Sequence, residues 1–182
     1  MRRILILFLV LVNYLSFSQE KTNCAILYYG DKAITLKAPN GWVLDCESGS
    51  ENGINAVFYK ERKTWENAKT VMYINFAALD IEKQRNMKDL ISYDMAQFKK
   101  NYEGIKINTK EKIELEKFNG IIKYFGGGTY EGFEYLAYLD LKKFAIMTVI
   151  SSRSKSDLDT NYADFMSLLK SMQVINIEFQ NK

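Results

Sequence analysis

Histidine is absent from the 182-residue sequence, and this absence excludes several kinds of active site. Ser-His-Asp triads and Cys-His pairs both need an imidazole as general base, so neither can form here. Metal sites built on histidine are excluded for the same reason, and two cysteines cannot supply the four thiolates of a structural zinc site. We therefore predict no metal site and no cofactor.

Long apolar runs are also missing. The longest, Ile4–Val12, has nine residues, whereas a membrane-spanning helix needs about 20. This run follows Arg2–Arg3 and precedes the small residues of segment Ser16–Ser18. A basic start, a short apolar run and small residues before a cut are typical of a secretory signal peptide.

We expect cleavage near Ser18-Gln19, so that residues 1–18 are a signal peptide and residues 19–182 form a single domain, periplasmic or secreted. The net charge is +3, and it falls to +1 without the two arginines of the signal. Lysine and glutamate are interspersed, whereas a nucleic-acid-binding protein would carry a strong basic patch. We predict no nucleic-acid partner, no transmembrane segment and a monomer.

The sequence has only two cysteines, Cys24 and Cys46, and both belong to the expected mature domain. Export would expose them to oxidising conditions, where a bridge can form. Such a bridge would close a loop of about 20 residues and contribute roughly 3 kcal/mol in the chain-entropy model. Two separate thiols, with Cys46 at a strand end, are the alternative, and the sequence does not decide between them.

Apolar residues recur with the period of two typical of strands, before and after an amphipathic segment with a helical period. Short turns, such as Pro39-Asn40-Gly41 and Asn119-Gly120, join most of the strands and require antiparallel pairing. Strands are predicted near residues 25–29, 34–38, 42–44, 54–59, 71–76, 113–115, 121–125, 133–141 and 144–150. Helices are predicted over 86–104 and 154–172. The element order predicts the α+β class, with one mostly antiparallel sheet.

Two motifs resemble catalytic or phosphate-binding sequences. Ser152-Arg153-Ser154-Lys155 has the S-x-x-K spacing in which a lysine activates a serine, but its partner motifs S-D-N and K-T-G are absent. A polar strand-to-helix junction with serine caps explains it better. Gly126-Gly127-Gly128 lacks the Gly-Lys-Ser/Thr of a phosphate loop, and a bulge or a bend in a strand is the better interpretation.

An acidic loop follows Trp42. Asp45, Glu47 and Glu51 could supply oxygen ligands to Ca²⁺, although their spacing differs from that of an EF-hand. A solvated loop between strands is the favoured interpretation. The same three residues are retained as candidates for ligand or partner binding.

Aromatic residues crowd around the three glycines. A sheet core accounts for most of them, but tyrosine and tryptophan are also enriched at recognition surfaces. We therefore take Trp65, Tyr130 and Tyr135 as candidate binding residues.

The Pro39–Trp42 turn, with its P-x-G-W pattern, and the order of elements that leads through Ser151-Ser152-Arg153 into a closing helix resemble the PsbP-like superfamily over most of residues 32–175. The resemblance implies an α/β/α sandwich, in which two main helices flank a mostly antiparallel central sheet. It implies that Trp42 fills the core. It also implies proteins that mostly bind partners. PsbP is associated with metal-binding histidines, which this chain lacks, so no metal site is carried over.

The sequence thus predicts an exported, non-enzymatic envelope protein that binds an unknown envelope protein or a small ligand. Two alternatives stay open. One is a carrier that holds an apolar molecule in a closed pocket between sheet and helix. The other is a small hydrolase that uses Ser152 and Lys155.

Overall fold

The computed structural model describes residues 24–79, 86–116 and 118–177, and the predicted signal peptide lies outside them. The strands in these ranges are β1 (Cys24–Tyr29), β2 (Lys32–Lys37), β3 (Trp42–Asp45), β4 (Ala56–Lys60), β5 (Thr70–Ala78), β6 (Lys106–Leu115), β7 (Phe118–Gly127), β8 (Tyr130–Asp140), β9 (Phe144–Ser152) and β10 (Gln173–Asn176). The helices are α1 (Met87–Asn101), α2 (Lys155–Thr160) and α3 (Tyr162–Ser171). None of these helices is long and apolar enough to cross a membrane.

Seven strands form the main sheet in the order β3-β4-β5-β9-β8-β7-β6, and every neighbouring pair is antiparallel. The central pair is β5 with β9, in register from Thr70 opposite Ser152 to Ala78 opposite Phe144. This pair connects the strands that precede α1 to those that follow it. Both strands contribute side chains to the cores on the two faces of the sheet, which is why their sequences are apolar on both faces.

Helices cover both faces of the main sheet. On one face α2, α3 and strands β1 and β2 enclose a core that includes Phe58, Ile146 and Phe165. On the other face α1 packs its apolar side over Leu136 and Tyr138. The predicted α+β class and the α/β/α sandwich are therefore confirmed.

A second, three-stranded sheet with the order β1-β2-β10 was not predicted. Ile34 and Leu36 of β2 face the core, as their alternation indicated, and Val174 of β10 packs beside them. A period of two shows that a segment is a strand but does not show which sheet it joins. Strand β10 has four residues and only a half-buried inward face, so its sequence signal is weak.

The predicted turn at Asn119-Gly120 is wrong. Both residues lie within β7, where Asn119 is opposite Glu114 and Gly120 is opposite Ile113. The glycine serves close packing, because a Cβ at this position would be 2.6 Å from the carbonyl oxygen of Tyr138 on β8. Asparagine followed by glycine is a turn signal only where the backbone must adopt positive φ angles, and Gly120 has no such angle.

The helix start at Asn86 is a capping box. The Asn86 side chain accepts from the backbone N–H of Asp89, whose carboxylate accepts from the N–H of Asn86.

The C-terminal helical segment is divided at Asn161 into α2 and α3. The glycine segment ends β7 with a register shift after Gly126. A Cβ on Gly128 would be 2.1 Å from the carbonyl oxygen of Glu103, so the close approach there is made by this chain's own backbone.

Trp42 fills the core at the start of β3. Its side chain is 2% exposed, and the preceding turn closes with a 3.1 Å bond from its N–H to the carbonyl oxygen of Pro39. The indole Nε1–H donates to Asp164 of α3 at 2.9 Å. Lys60 of β4 lies 4.4 Å from the ring centroid and 2.8 Å from the same carboxylate. This three-residue contact ties the β3–β4 edge of the sheet to α3.

Trp42→Phe is expected to lower the free energy of unfolding by about 2–3 kcal/mol, because it removes a part-buried hydrogen bond and leaves a cavity. Urea denaturation followed by circular dichroism measures this change. Trp65→Phe is the matched control, since Trp65 is only half-buried, and it should cost less than about 1 kcal/mol. Equal losses in the two variants would contradict the structural role of Trp42.

Candidate functional site

An open groove of about 560 Å³ lies at one end of the central strand pair, where β5 begins, β9 ends and β8 begins. Its wall and floor include Trp65, Lys69, Val71, Gly132, Ser151 and Arg153. We call it the Trp65 groove. The strand ends are held in place by a 2.9 Å hydrogen bond between the buried hydroxyls of Thr70 and Ser152, and by a 3.2 Å bond from the Arg153 N–H to the Lys69 carbonyl oxygen.

The floor of the groove belongs to the face of the sheet that α1 covers. Val71 and Ser151 lie opposite each other in the β5–β9 register, two residues before Tyr73 and two residues after Val149, which belong to the α1-side core. Glu134 of β8 lies opposite Ser151, so its side chain is on the same face. The groove therefore ends beside a glutamate.

Glu134 is not a lining residue of the groove but lies next to one, Ser151, and is buried, with 6% of its surface exposed. Burial raises the pKa of its carboxyl, and the neighbouring side chains of Tyr130 and Ser151 offset this only in part. Burial and then the charge of Glu134 raise the pKa of Tyr73 and of Tyr130 well above the ordinary value. A buried carboxyl that is surrounded by neutral groups keeps its proton to a higher pH than an exposed carboxyl does.

Aromatic rings lie on both sides of β9. On the β5 side, Trp65 meets Tyr73 edge to face, with ring centroids 6.1 Å apart. On the β8 side, Tyr130 packs against Tyr102, with centroids 4.7 Å apart, just beyond the end of α1. Gly132 leaves room for the Tyr130 ring, because a Cβ there would be 3.0 Å from its Cζ.

Charged side chains surround the mouth of the groove. Glu66, Lys69, Glu131 and Arg153 are all exposed, two of each sign. None of them takes part in an ion pair among the described residues. The groove thus offers aromatic surface and charges of both signs that a bound molecule could contact, and a buried acid lies beside it.

Tyr135, the third predicted aromatic, lies on the opposite face of the sheet. It is 2% exposed, and its hydroxyl donates to Asp159 at 2.6 Å and accepts from Lys155 at 3.2 Å. Burial and the hydrogen bond to Asp159 raise the pKa of Tyr135, although Lys155 acts in the other direction. Tyr135 therefore belongs to a network that holds α2 against the sheet and not to the groove.

Ser152 and Lys155 are each occupied by other partners. The Ser152 hydroxyl is buried against Thr70 and the carbonyl oxygen of Lys69. Lys155 forms an ion pair with Asp159 and a hydrogen bond with Tyr135. The Lys155 amine is therefore held by Asp159 and Tyr135 and not by the Ser152 hydroxyl, whereas activation of a serine nucleophile would require a contact between the two. The serine cap of the junction is Ser154, whose hydroxyl accepts from the N–H of Asp157.

The three acidic loop residues do not converge. Asp45 points into its own turn, where it accepts from the N–H groups of Glu47 and Ser48, from the Ser48 hydroxyl and from Tyr59 at 3.0 Å. Burial opposes ionisation, but these bonds outweigh it and lower the pKa of Asp45. Glu47 and Glu51 are exposed. Among the described residues, no group of three acidic or cysteine side chains could hold a metal ion.

Cys46 lies within this turn, and its exposed thiol is joined to no other cysteine side chain in the described part of the chain. Burial of part of the side chain, together with the charges of Asp45 and Glu47, raises its pKa and so lowers the fraction of reactive thiolate. The backbone of Cys24 lies opposite Lys37 in the small sheet, but its side chain is outside the described part of the chain. The bridge between the two cysteines stays a prediction.

Sequence reasoning missed Glu134 and Tyr73. Glu134 occurs in the segment Phe133–Leu141, which was interpreted as an apolar strand. It shares a period of two with Leu136 and Tyr138, both of which face the α1-side core. A glutamate in the inward register of a buried strand was the available signal, because such positions rarely hold an unpaired acid.

The arrangement of the main sheet, with helices on both faces, can be compared with known proteins. No protein-family model matches the chain, and no curated protein matches it. Solved structures do match: the fold is that of the PsbP-like proteins. Cyanobacterial PsbP (CyanoP) from Synechocystis sp. PCC 6803 aligns with a TM-score of 0.53 and 13% identity, over 88% of this chain and 98% of its own. The Ran-binding protein Mog1p of Saccharomyces cerevisiae aligns with a TM-score of 0.50 and 10% identity, over 85% and 96%.

The resemblance predicted from the Pro39–Trp42 turn and the element order is therefore confirmed for the fold. At such identities the likeness concerns the fold alone.

Replacing Glu134 by glutamine tests the buried carboxyl. The folded pKa lies above the ordinary 4.5, so the folded state holds the proton more tightly than the unfolded state does. The free energy of unfolding of the natural protein should therefore fall as the pH rises from 4.5 through the folded pKa. Glu134→Gln removes this titration, so the variant should be the more stable protein at neutral pH, with an advantage that shrinks in acid.

Urea denaturation at a series of pH values measures the effect. Glu114→Gln is the control, since Glu114 is exposed on β6 and its replacement makes the same change in charge. If the two variants showed the same dependence on pH, the buried state of Glu134 would be refuted.

Proposed function

We propose that this protein is an exported, non-enzymatic binding protein that holds a segment of a partner protein in the Trp65 groove. The observation that carries the proposal is the groove itself, in which a partly exposed indole stands beside strand ends that are fixed by the central pair of the sheet. Rigid aromatic side chains give large contact areas at a low cost in conformational entropy, which is why they are common at the centres of interfaces.

A protein segment fits this groove better than an apolar small molecule does. The groove is open, and its mouth carries charged residues of both signs. The interface between the sheet and the C-terminal helices is filled by fully buried side chains, among them Ile74, Ile146 and Phe165. This packing favours recognition at the surface over the alternative of a carrier with a closed pocket.

Two further points support a binding role without catalysis. Ser152 and Lys155 are engaged in separate hydrogen-bond networks, and histidine is absent. The yeast protein of similar fold is described as Ran-binding, so this fold is used elsewhere to bind a protein. A similar fold does not imply the same partner, so the specificity for a partner must come from the chemistry of the groove.

The proposed export rests on Arg2–Arg3, the apolar run Ile4–Val12 and the small residues before Gln19. Protein recovered from the cell envelope should have the intact mass of residues 19–182. A mass that includes residues 1–18 would contradict cleavage at this point. The same spectrum reports whether Cys24 and Cys46 are joined, since a bridge lowers the mass by two hydrogens.

Trp65→Ala is expected to lower the recovery of the partner about tenfold, because truncation of a central aromatic anchor typically costs 1–2 kcal/mol or more. The measurement is quantitative mass spectrometry of proteins cross-linked to the chain in its own envelope. Tyr93→Ala is the matched control, since Tyr93 is 63% exposed on α1 and lies outside the groove.

Thermal denaturation of both variants separates a loss of folding from a loss of binding. If Trp65→Ala and the natural protein recovered the same partners in equal amounts, the groove would not be the binding site. A small-molecule adduct that survives buffer exchange would instead favour the ligand carrier.

A further inference from the structure

Within residues 24–79, 86–116 and 118–177, the acid beside the Trp65 groove has no cationic partner. None of the ion pairs among the described residues includes Glu134, and its polar neighbours Tyr130 and Ser151 are neutral. A buried carboxyl normally has its charge compensated by a cation or loses it through protonation, because an isolated buried charge is costly. This site is therefore poised to accept a cation from outside the chain.

Rings that attract cations lie in the groove and beside it: Trp65 lines the groove, Tyr73 packs against Trp65, and Tyr130 packs beside the lining residue Gly132. Trp65 and Tyr73 lie on one side of β9, and Tyr130 lies on the other, close to Glu134. The faces of such rings carry negative potential, and tryptophan attracts a cation most strongly. Aromatic surface beside a carboxylate binds an ammonium or guanidinium group better than either element alone does.

The charges nearer to solvent do not reverse this preference. Lys69 and Arg153 lie at the exposed mouth, where Glu66 and Glu131 balance them and water screens all four. Glu134 lies beside the lining residue Ser151 and is buried, so a contact with its carboxyl is screened less. The titratable and charged groups that face Glu134 or its neighbours are Tyr73 on β5, Tyr130, Glu131 and Tyr138 on β8, Asp94 on α1, Tyr102 after it, Glu66 and Lys69 before β5, and Arg153 after β9.

We propose that the Trp65 groove recognises a lysine or arginine side chain of the partner protein, whose charged end reaches Glu134 between Trp65 and Tyr130. The inference rests on the proposed function and adds the chemistry of the partner to it. Gly132 favours this path, since it presents no side chain beside the Tyr130 hydroxyl.

Binding of a cation at Glu134 should be linked to the release of a proton. The empty site holds its proton above the ordinary pKa of a glutamate, because the carboxyl is buried. A bound cation favours the ionised carboxylate, so the affinity should rise with pH until Glu134 is already ionised in the empty protein. An anionic or neutral partner would not give this dependence.

The probe is the peptide acetyl-Gly-Lys-Gly-amide, compared with the same peptide that carries norleucine or glutamate in place of lysine. Binding is followed by NMR at the indole N–H of Trp65, which is identified by its loss in Trp65→Phe. The lysine peptide should bind at least about tenfold more tightly than the norleucine peptide, a difference of about 1.4 kcal/mol. Its affinity should rise as the pH increases from 4.5 through the raised pKa of Glu134 in the empty protein.

Two variants test the assignment to Glu134. Glu134→Gln should weaken the lysine peptide about tenfold and abolish the dependence on pH, whereas Glu114→Gln, with the same change in charge outside the groove, should do neither. If lysine and norleucine peptides bound equally, or if Glu134→Gln behaved like Glu114→Gln, the inference would be overturned. The proposed function is tested separately, by the recovery of partners with Trp65→Ala.

Discussion

The pairing of β5 with β9 is the constraint on which the rest of the molecule depends. It joins strands that are separated in sequence by α1 and three further strands, so the main sheet exists only when this long-range pair forms. At one end of the pair the hydroxyls of Thr70 and Ser152 fix the strand ends. At the other end Phe144 and Phe76 pack against Tyr29, which brings the small sheet onto the core.

The candidate site follows from this geometry. The strand ends leave an open groove, because the chain turns away before Thr70 and after Ser152 instead of continuing the sheet. Beyond the Thr70–Ser152 pair the backbone still holds Lys69 and Arg153 next to each other through a main-chain hydrogen bond. Glu134 lies beside the groove because it is opposite Ser151, so the register that builds the core also positions the acid.

Much of the fold could be predicted from the sequence, because the capping box at Asn86, the Pro39–Gly41 turn and the alternation of strand residues each act within a few neighbours. The second sheet and the role of Gly120 could not, since both depend on which strands meet across the fold. The candidate site, too, could be predicted from the sequence only in part. Trp65 and Tyr130 could be chosen as aromatic candidates, but only the strand order shows that they lie on either side of β9 and that Tyr135 lies on the other face.

The likeness to PsbP and Mog1p accounts for the fold but does not account for the residues of the candidate site. A sheet with helices on both faces forms whenever apolar periodicity and turns agree, and this tolerates sequences that share as little as 10% of their residues. The likeness does not explain a buried acid that has no cationic partner in the described part of the chain. Because burial raises the pKa of Glu134, this acid is expected to lower stability at neutral pH, and an apolar residue in its place should raise stability. This expected cost in stability, together with the position of Glu134 next to Ser151 of the groove, is the physical basis of the proposal that Glu134 serves recognition.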